Sequence, residues 1–158
     1  MWAEHAGPLT RFQVGVSTGW IDLASRRAEV SVGSLERAGS AIDRVLAYVC
    51  MQVLPRERRG ILLHAVGVEF QGAGLVFCGP SGAGKTTIAR LAAGQAQVLT
   101  DETLIVSLLP PQPLLVSTPL WGGSTPLDLI QRVNRQVALA ALFLLEQANF
   151  DHLHFPIL

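Results

Sequence analysis

Charge is scarce in this chain: 15% of its 158 residues are Asp, Glu, Lys or Arg, and 12 acidic residues formally cancel 12 basic ones. So flat a balance presents no field that would draw in nucleic acid or an anionic membrane surface, and neither is an expected partner. Aromatic residues amount to 6%, and the only two cysteines are Cys50 and Cys78. They lie on segments that read as a buried helix face and a buried strand, which argues against a disulfide scaffold and points to a reducing, cytoplasmic location. Long apolar runs are also missing. The most apolar stretch, Val137 to Leu145, has nine residues, whereas a helix needs about 20 to span a bilayer. The opening MWAEHAGPLTRF has no basic start followed by an uninterrupted apolar segment, so no secretory signal is expected.

Apolar material, by contrast, makes up 49% of the chain, enough to bury a core in one α/β domain over residues 1–158. Residues 1–33 hold short alternating pieces, Phe12 to Val16 and Ala28 to Val32, which read as weak edge strands. From Ser40 the period changes. Ile42, Val45, Leu46, Val49, Cys50 and Val53 recur at three- and four-residue spacing, which predicts a helix opened by a Ser40–Asp43 capping box and ended by Pro55. Arg56, Arg58 and Arg59 then read as a solvated helix end. Ile61 to Phe70 and Leu75 to Cys78, joined by Gln71-Gly72-Ala73-Gly74, predict a β-hairpin. A helix follows over Lys85 to Ala93 with Gly94 as its cap, then strands over Gln97 to Thr100, Leu104 to Leu109 and Leu114 to Ser117. Val137 to Glu146 fits a helix or a buried strand equally well by composition.

The chemistry concentrates where the second hairpin strand ends. Gly79-Pro80-Ser81-Gly82-Ala83-Gly84-Lys85-Thr86 satisfies G-x-x-x-x-G-K-[ST] at every defined position, with Thr87 next on the same helix. Glycines there let the backbone wrap around phosphate oxygens with its N–H groups inward, while the helix presents its positive end to the same anion. Lys85 would reach the β- and γ-phosphates and the Thr86 hydroxyl would ligate Mg²⁺, so ATP with Mg²⁺ is the expected cofactor. The competing view is a glycine-rich turn that binds nothing. Asp101 and Glu102 stand sixteen and seventeen residues after Lys85, at the end of a short strand. They could hold Mg²⁺ or accept a proton, or form an ordinary acidic turn. His64 shares strand parity with Leu62, Val66, Val68 and Phe70 and by itself reads as a core histidine. His152 and His154 have no cysteine or carboxylate cluster around them and do not make a metal site. No N-K-x-D occurs, since Arg135 follows Asn134, and no LSGGQ-like stretch occurs either, which argues against guanine-specific GTPases and transport ATPases.

Leu62-Leu63-His64-Ala65, the hairpin, the loop and then Leu99-Thr100-Asp101-Glu102 together resemble the catalytic core of HPr kinase/phosphorylase and its smaller relatives. Those enzymes share their fold with the ATP-dependent phosphoenolpyruvate carboxykinases. The resemblance implies a mixed sheet carrying a phosphate-binding loop, with Asp101 as base for a serine hydroxyl, Glu102 on Mg²⁺ and His64 supporting the acidic group. It is strongest over 60–102 and weaker to Gln147, where Ser117 to Gly123 and Ala141 to Gln147 look like stretches of the small HPr kinase-like proteins and imply a strand over Leu142 to Glu146. The pair is Asp-Glu where that family has Asp-Asp, and the chain stops at Leu158, before the family's C-terminal helices. The C-terminal part is thus expected to be shortened, with HPr a poor substrate. The expected function is an ATP-dependent kinase acting on a serine-containing protein or peptide, compatible with a homo-oligomer. The alternative is a nucleotide-binding accessory module without turnover, and a carboxykinase-like activity ranks third.

Overall fold

In a computed structural model, the described residues are 2–120 and 133–147. They form a mixed α/β structure dominated by two sheets, with two α-helices. Contacts divide the chain into two compact units, one of Met1–Leu62 with Ile105–Pro113 and one of Leu63–Leu104 with Leu114–Leu158.

The first unit opens with a four-stranded antiparallel meander, β1 (Trp2–Ala6), β2 (Leu9–Val14), β3 (Ser17–Asp22) and β4 (Arg27–Ser31). Its turns use the left-handed backbone at Gly7, Gly15 and Arg26. Asp22 organises the third turn by accepting the N–H groups of Ala24 and Ser25 and the Ser25 hydroxyl. Those bonds, the Ser25 hydroxyl first, hold its carboxyl below the usual range. The long helix α1 (Ala38–Arg56) lays Val45 on Phe12 and Ile21, with Leu23, Val30, Tyr48 and Val49 around them. The N-terminal strands are thus a whole sheet with its own core rather than edge pieces. The alternation is visible in only two of them; in β3 the inward positions shared with Ile21 hold Ser17 and Gly19, which give no apolar signal. Nor does Ser40 open the helix. A 3₁₀ turn at Leu35–Arg37 runs directly into α1 at Ala38, so Ser40 lies inside the first turn. Pro55 sits in the last turn, one residue before the end.

The remaining strands are β5 (Gly60–Phe70), β6 (Ala73–Cys78), β7 (Gln97–Thr100), β8 (Thr103–Ser107), β9 (Leu114–Ser117) and β10 (Gln136–Leu144). They line up as β6-β10-β9-β8-β5-β7, with β6 also paired to β5. The predicted hairpin of β5 and β6 is present. Its two-residue turn, Gln71-Gly72, has φ of 51° and 81°, the doubly left-handed geometry that matches strand twist. The ambiguous tail is a strand that starts earlier than expected, at Gln136, antiparallel to β9 and parallel to β6. Parallel pairing explains why its sequence does not alternate cleanly. Helix α2 (Lys85–Ala92) packs Ala89 on Val66, Val68 and Val98. Each buried valine of that cluster contributes on the order of 1.5–3 kcal/mol. Phe77 of β6 stacks on Phe143 of β10 at a centroid distance of 5.0 Å. Among the described residues no helix is long and apolar enough to cross a membrane.

Glu69 on β5 receives a two-pronged bond from Arg135, which immediately precedes β10, at 2.5 and 2.6 Å. Arg135 holds the Glu69 carboxyl below its ordinary 4.5. A depressed carboxylate stabilises the fold above its unfolded pKa and loses that contribution as pH falls. Glu69→Gln should therefore lower the urea midpoint at neutral pH, and the gap from wild type should close as pH drops below 4.5. A gap of unchanged size at low pH would contradict the assignment.

Candidate functional site

The site is built around the middle of β5, within the second unit. Strand β6 pairs antiparallel with one edge of β5, placing Cys78 opposite Ala65, and β7 pairs antiparallel with the other edge, placing Thr100 opposite Gly67. Both flanking strands therefore run the same way and end on the same side. Gly79 leaves β6 there and Asp101 leaves β7 there, two strand spacings apart, or roughly 10 Å. The Ala65 N–H donates to the Glu102 carbonyl at 3.1 Å, tying the acidic turn directly to β5.

Between β6 and α2 the backbone turns tightly. The Ala83 N–H donates to the Pro80 carbonyl, with Gly82 at φ 84° in the corner, and Gly84 at φ 100° stands at the N-cap of α2. A side chain would be strained at either glycine. Gly79 is required for a different reason: a Cβ there would lie 2.8 Å from the Leu145 carbonyl oxygen and 2.9 Å from the Ala83 Cβ. Lys85 is buried, and its ammonium donates to the carbonyls of Gly79 at 2.8 Å and Pro80 at 3.0 Å. Burial raises the Cys78 thiol and the nearby Lys85 charge partly offsets this, so the thiol is not activated. Thr86 is half-buried, whereas Ser81 and Thr87 face solvent.

The acidic turn is held by hydroxyls. Thr100 and Thr118, both buried, each donate to the Thr103 carbonyl, at 3.1 and 2.5 Å. Thr118 also accepts the Leu120 N–H. Within this clamp Asp101 is only 4% exposed, and neither of its carboxylate oxygens has a hydrogen-bond partner among the described residues. Glu102 is different. Its carboxylate lies 3.4 Å from Nδ1 of His64, and both side chains are about half exposed. His64 thus meets Glu102, not Asp101, and it points outward rather than into the core as its strand parity suggested. The β-bulge between Gly67 and Val68 in the β5–β7 pairing lies close by, and such irregularities locally alter strand twist.

Three contributors were given no role of their own from the sequence. Thr100 and Thr118 look like ordinary strand threonines, and only the convergence of both on one carbonyl reveals them. Gln147 follows β10 and donates from Nε2 to the Gly82 carbonyl at 3.2 Å. His152, His154 and the Trp121-Gly122-Gly123 stretch lie outside the described residues.

An unpaired buried carboxylate is costly, and natural folds keep such a group where function requires it. Asp101→Asn should raise the stability of the protein by roughly 1 kcal/mol or more at neutral pH, read from urea unfolding. A loss of stability would mean that Asp101 has a partner within the protein.

A loop, a histidine and an acidic pair occupy few residues, and phosphate chemistry can place the same groups on unrelated chains. A family model described as SynChlorMet cassette protein ScmC matches residues 40–155, well over half of the chain. That match runs from the start of α1 through the loop, the acidic turn and β10. No curated protein matches. The chain belongs to the ScmC family of SynChlorMet cassette proteins, which overturns the assignment to the HPr kinase/phosphorylase family drawn from its loop, His64 and acidic pair.

Proposed function

We propose that the chain binds Mg·ATP on a phosphate-binding loop, Gly79 to Thr86, and transfers the γ-phosphate to a serine hydroxyl of a protein or peptide. The observation that carries this reading is Asp101, a buried carboxylate whose two oxygens have no partner among the described residues, on the side of the sheet where the loop begins. Such a group calls for a cation or a proton donor, and both belong to phosphoryl transfer.

The residues present fit Mg²⁺. Among the described residues no three His, Cys, Asp or Glu side chains cluster as a metal cage. Mg²⁺ does not need one, because it takes one or two carboxylates and leaves its other positions to water and phosphate oxygens. Thr86 and Glu102 would hold it, with His64 fixing the Glu102 carboxylate. When bound, it neutralises charge on the phosphate oxygens.

The loop amides and Lys85 then bind and orient the triphosphate, and Asp101 accepts the proton of the attacking hydroxyl. The serine oxygen bonds to the γ-phosphorus, the bond from phosphorus to the bridging oxygen breaks, and ADP leaves. His64 and Glu102, half exposed, leave the acceptor side open to solvent, which suits a side chain offered by another macromolecule.

Titration with Mg·ATP and transfer of labelled γ-phosphate test the two halves separately. Lys85→Ala should weaken ATP binding by about tenfold or more, since it removes a charge-assisted contact. Asp101→Asn should keep binding and lose transfer. Equal affinity of wild type and Lys85→Ala would sink the loop assignment. Binding by the wild type without transfer to any serine peptide would leave a nucleotide-binding accessory module instead.

A further inference from the structure

Just beyond the strand that closes the loop's other side stands a residue that the phosphate chemistry above does not use. Strand β10 runs parallel to β6, with Leu144 opposite Cys78, and the Leu145 N–H continues the ladder to the Cys78 carbonyl. Leu145 then lies against Gly79, close enough that any side chain there would collide with its carbonyl. Two residues on, Gln147 reaches over the loop and donates its side-chain amide to the Gly82 carbonyl. The end of β10 therefore follows the loop from its first residue to its tip.

We infer that Gln147 is a positioning residue of the phosphate loop, which holds the peptide between Gly82 and Ala83 in the turned, binding-ready form of the loop. In a planar trans peptide the carbonyl and the N–H point in opposite directions. Drawing the Gly82 carbonyl toward Gln147 aims the Ala83 N–H the other way, and it is found on the Pro80 carbonyl inside the turn. The control is needed because Gly82 and Gly84 flank this unit at φ 84° and 100°. Glycine has no Cβ to restrict these positions, so without an outside anchor only the Ala83 N–H bond to Pro80 holds the peptide. Gln147 supplies the anchor from a strand that is itself bonded to β6. Its side chain is exposed, so it acts on the loop without contributing to the core.

This inference rests on the loop being a triphosphate site, and its signature is kinetic. Losing the anchor lowers the fraction of loops in the binding-ready form, which slows association and leaves the bound complex unchanged. The test uses the whole chain, stopped-flow mixing with a fluorescent Mg·ATP analogue, and the variants Gln147→Met and Gln147→Ala. Methionine keeps the length and neutrality of glutamine and removes its carboxamide, donor included. Both variants should associate about fivefold more slowly than wild type, the weight of one ordinary hydrogen bond. Dissociation rate and thermal midpoint should match wild type. Association at the wild-type rate overturns the inference while leaving nucleotide binding intact. Slower association accompanied by a lowered thermal midpoint in both variants also overturns it, since Gln147 would then serve stability. A wild type that does not bind the analogue takes down both this inference and the triphosphate reading.

Discussion

Antiparallel pairing of β5 to strands on both of its edges is the constraint from which the site follows. Because β6 and β7 both oppose β5, they must be parallel to each other, and whatever follows each of them emerges on one side of the sheet. The connection between them has to return across the sheet, which α2 does while burying Ala89 on Val66, Val68 and Val98. A one-residue slip of β7 would turn Val98 out of that cluster and reverse the directions of Thr100 and Asp101 together. The apolar cluster thus fixes the register, and the register places the acidic turn relative to the loop. Packing and chemistry are not separable here.

The site carries features that stability alone would remove. Lys85, Thr100, Asp101 and Thr118 are all buried polar groups within one unit. Three of them are satisfied: Lys85 by two carbonyls, and the threonines by the Thr103 carbonyl. Only Asp101 is left with both oxygens unpartnered among the described residues. The threonine hydroxyls fix the turn's backbone while leaving its carboxylate uncommitted. Had either hydroxyl reached Asp101 instead, the turn would be better satisfied and its acid less available. That division between a held backbone and a free side chain is what separates this turn from an ordinary acidic loop.

Legibility in the sequence followed the range of the interaction. The β5–β6 hairpin was readable because Gln71-Gly72 specifies its turn over two residues, and the strand–turn–helix passage from β6 to α2 because its glycines lie within eight residues. Strand β7 and its two acids were placed correctly for the same reason. The meander was half hidden, since Trp20 and Ile21 on β3 gain their meaning only from α1 and the neighbouring strands. Strand β10 was ambiguous because its decisive partner, β6, is some sixty residues away. Parity alone reads His64 as a core residue, but β5 does not alternate: Ala65 to Val68 are all buried, and His64 lies exposed just before that run, beside Glu102. The family assignment failed at a longer range again. A few chemical groups in order describe a local task, whereas membership is carried by the chain from residue 40 to 155.

Under the proposed triphosphate binding, Lys85 would exchange partners while the loop holds its shape. Its ammonium sits on the carbonyls of Gly79 and Pro80, which are neutral acceptors. A phosphate oxygen carries charge, and a charge-assisted bond is about twice as strong as one to a neutral group. The exchange is therefore favourable for Lys85, and its penalty falls on the carbonyls it leaves. Pro80 keeps the Ala83 N–H on its carbonyl, so that acceptor is never orphaned. Gly82 has its own donor in Gln147 and is indifferent to the move. Of the two carbonyls that would lose the lysine, that of Gly79 lies at the loop's open beginning, next to exposed Pro80, where water can replace it. The turn's internal bonds would thus confine the proposed exchange to a single side chain, so that a loop rich in glycine could change partners without unfolding.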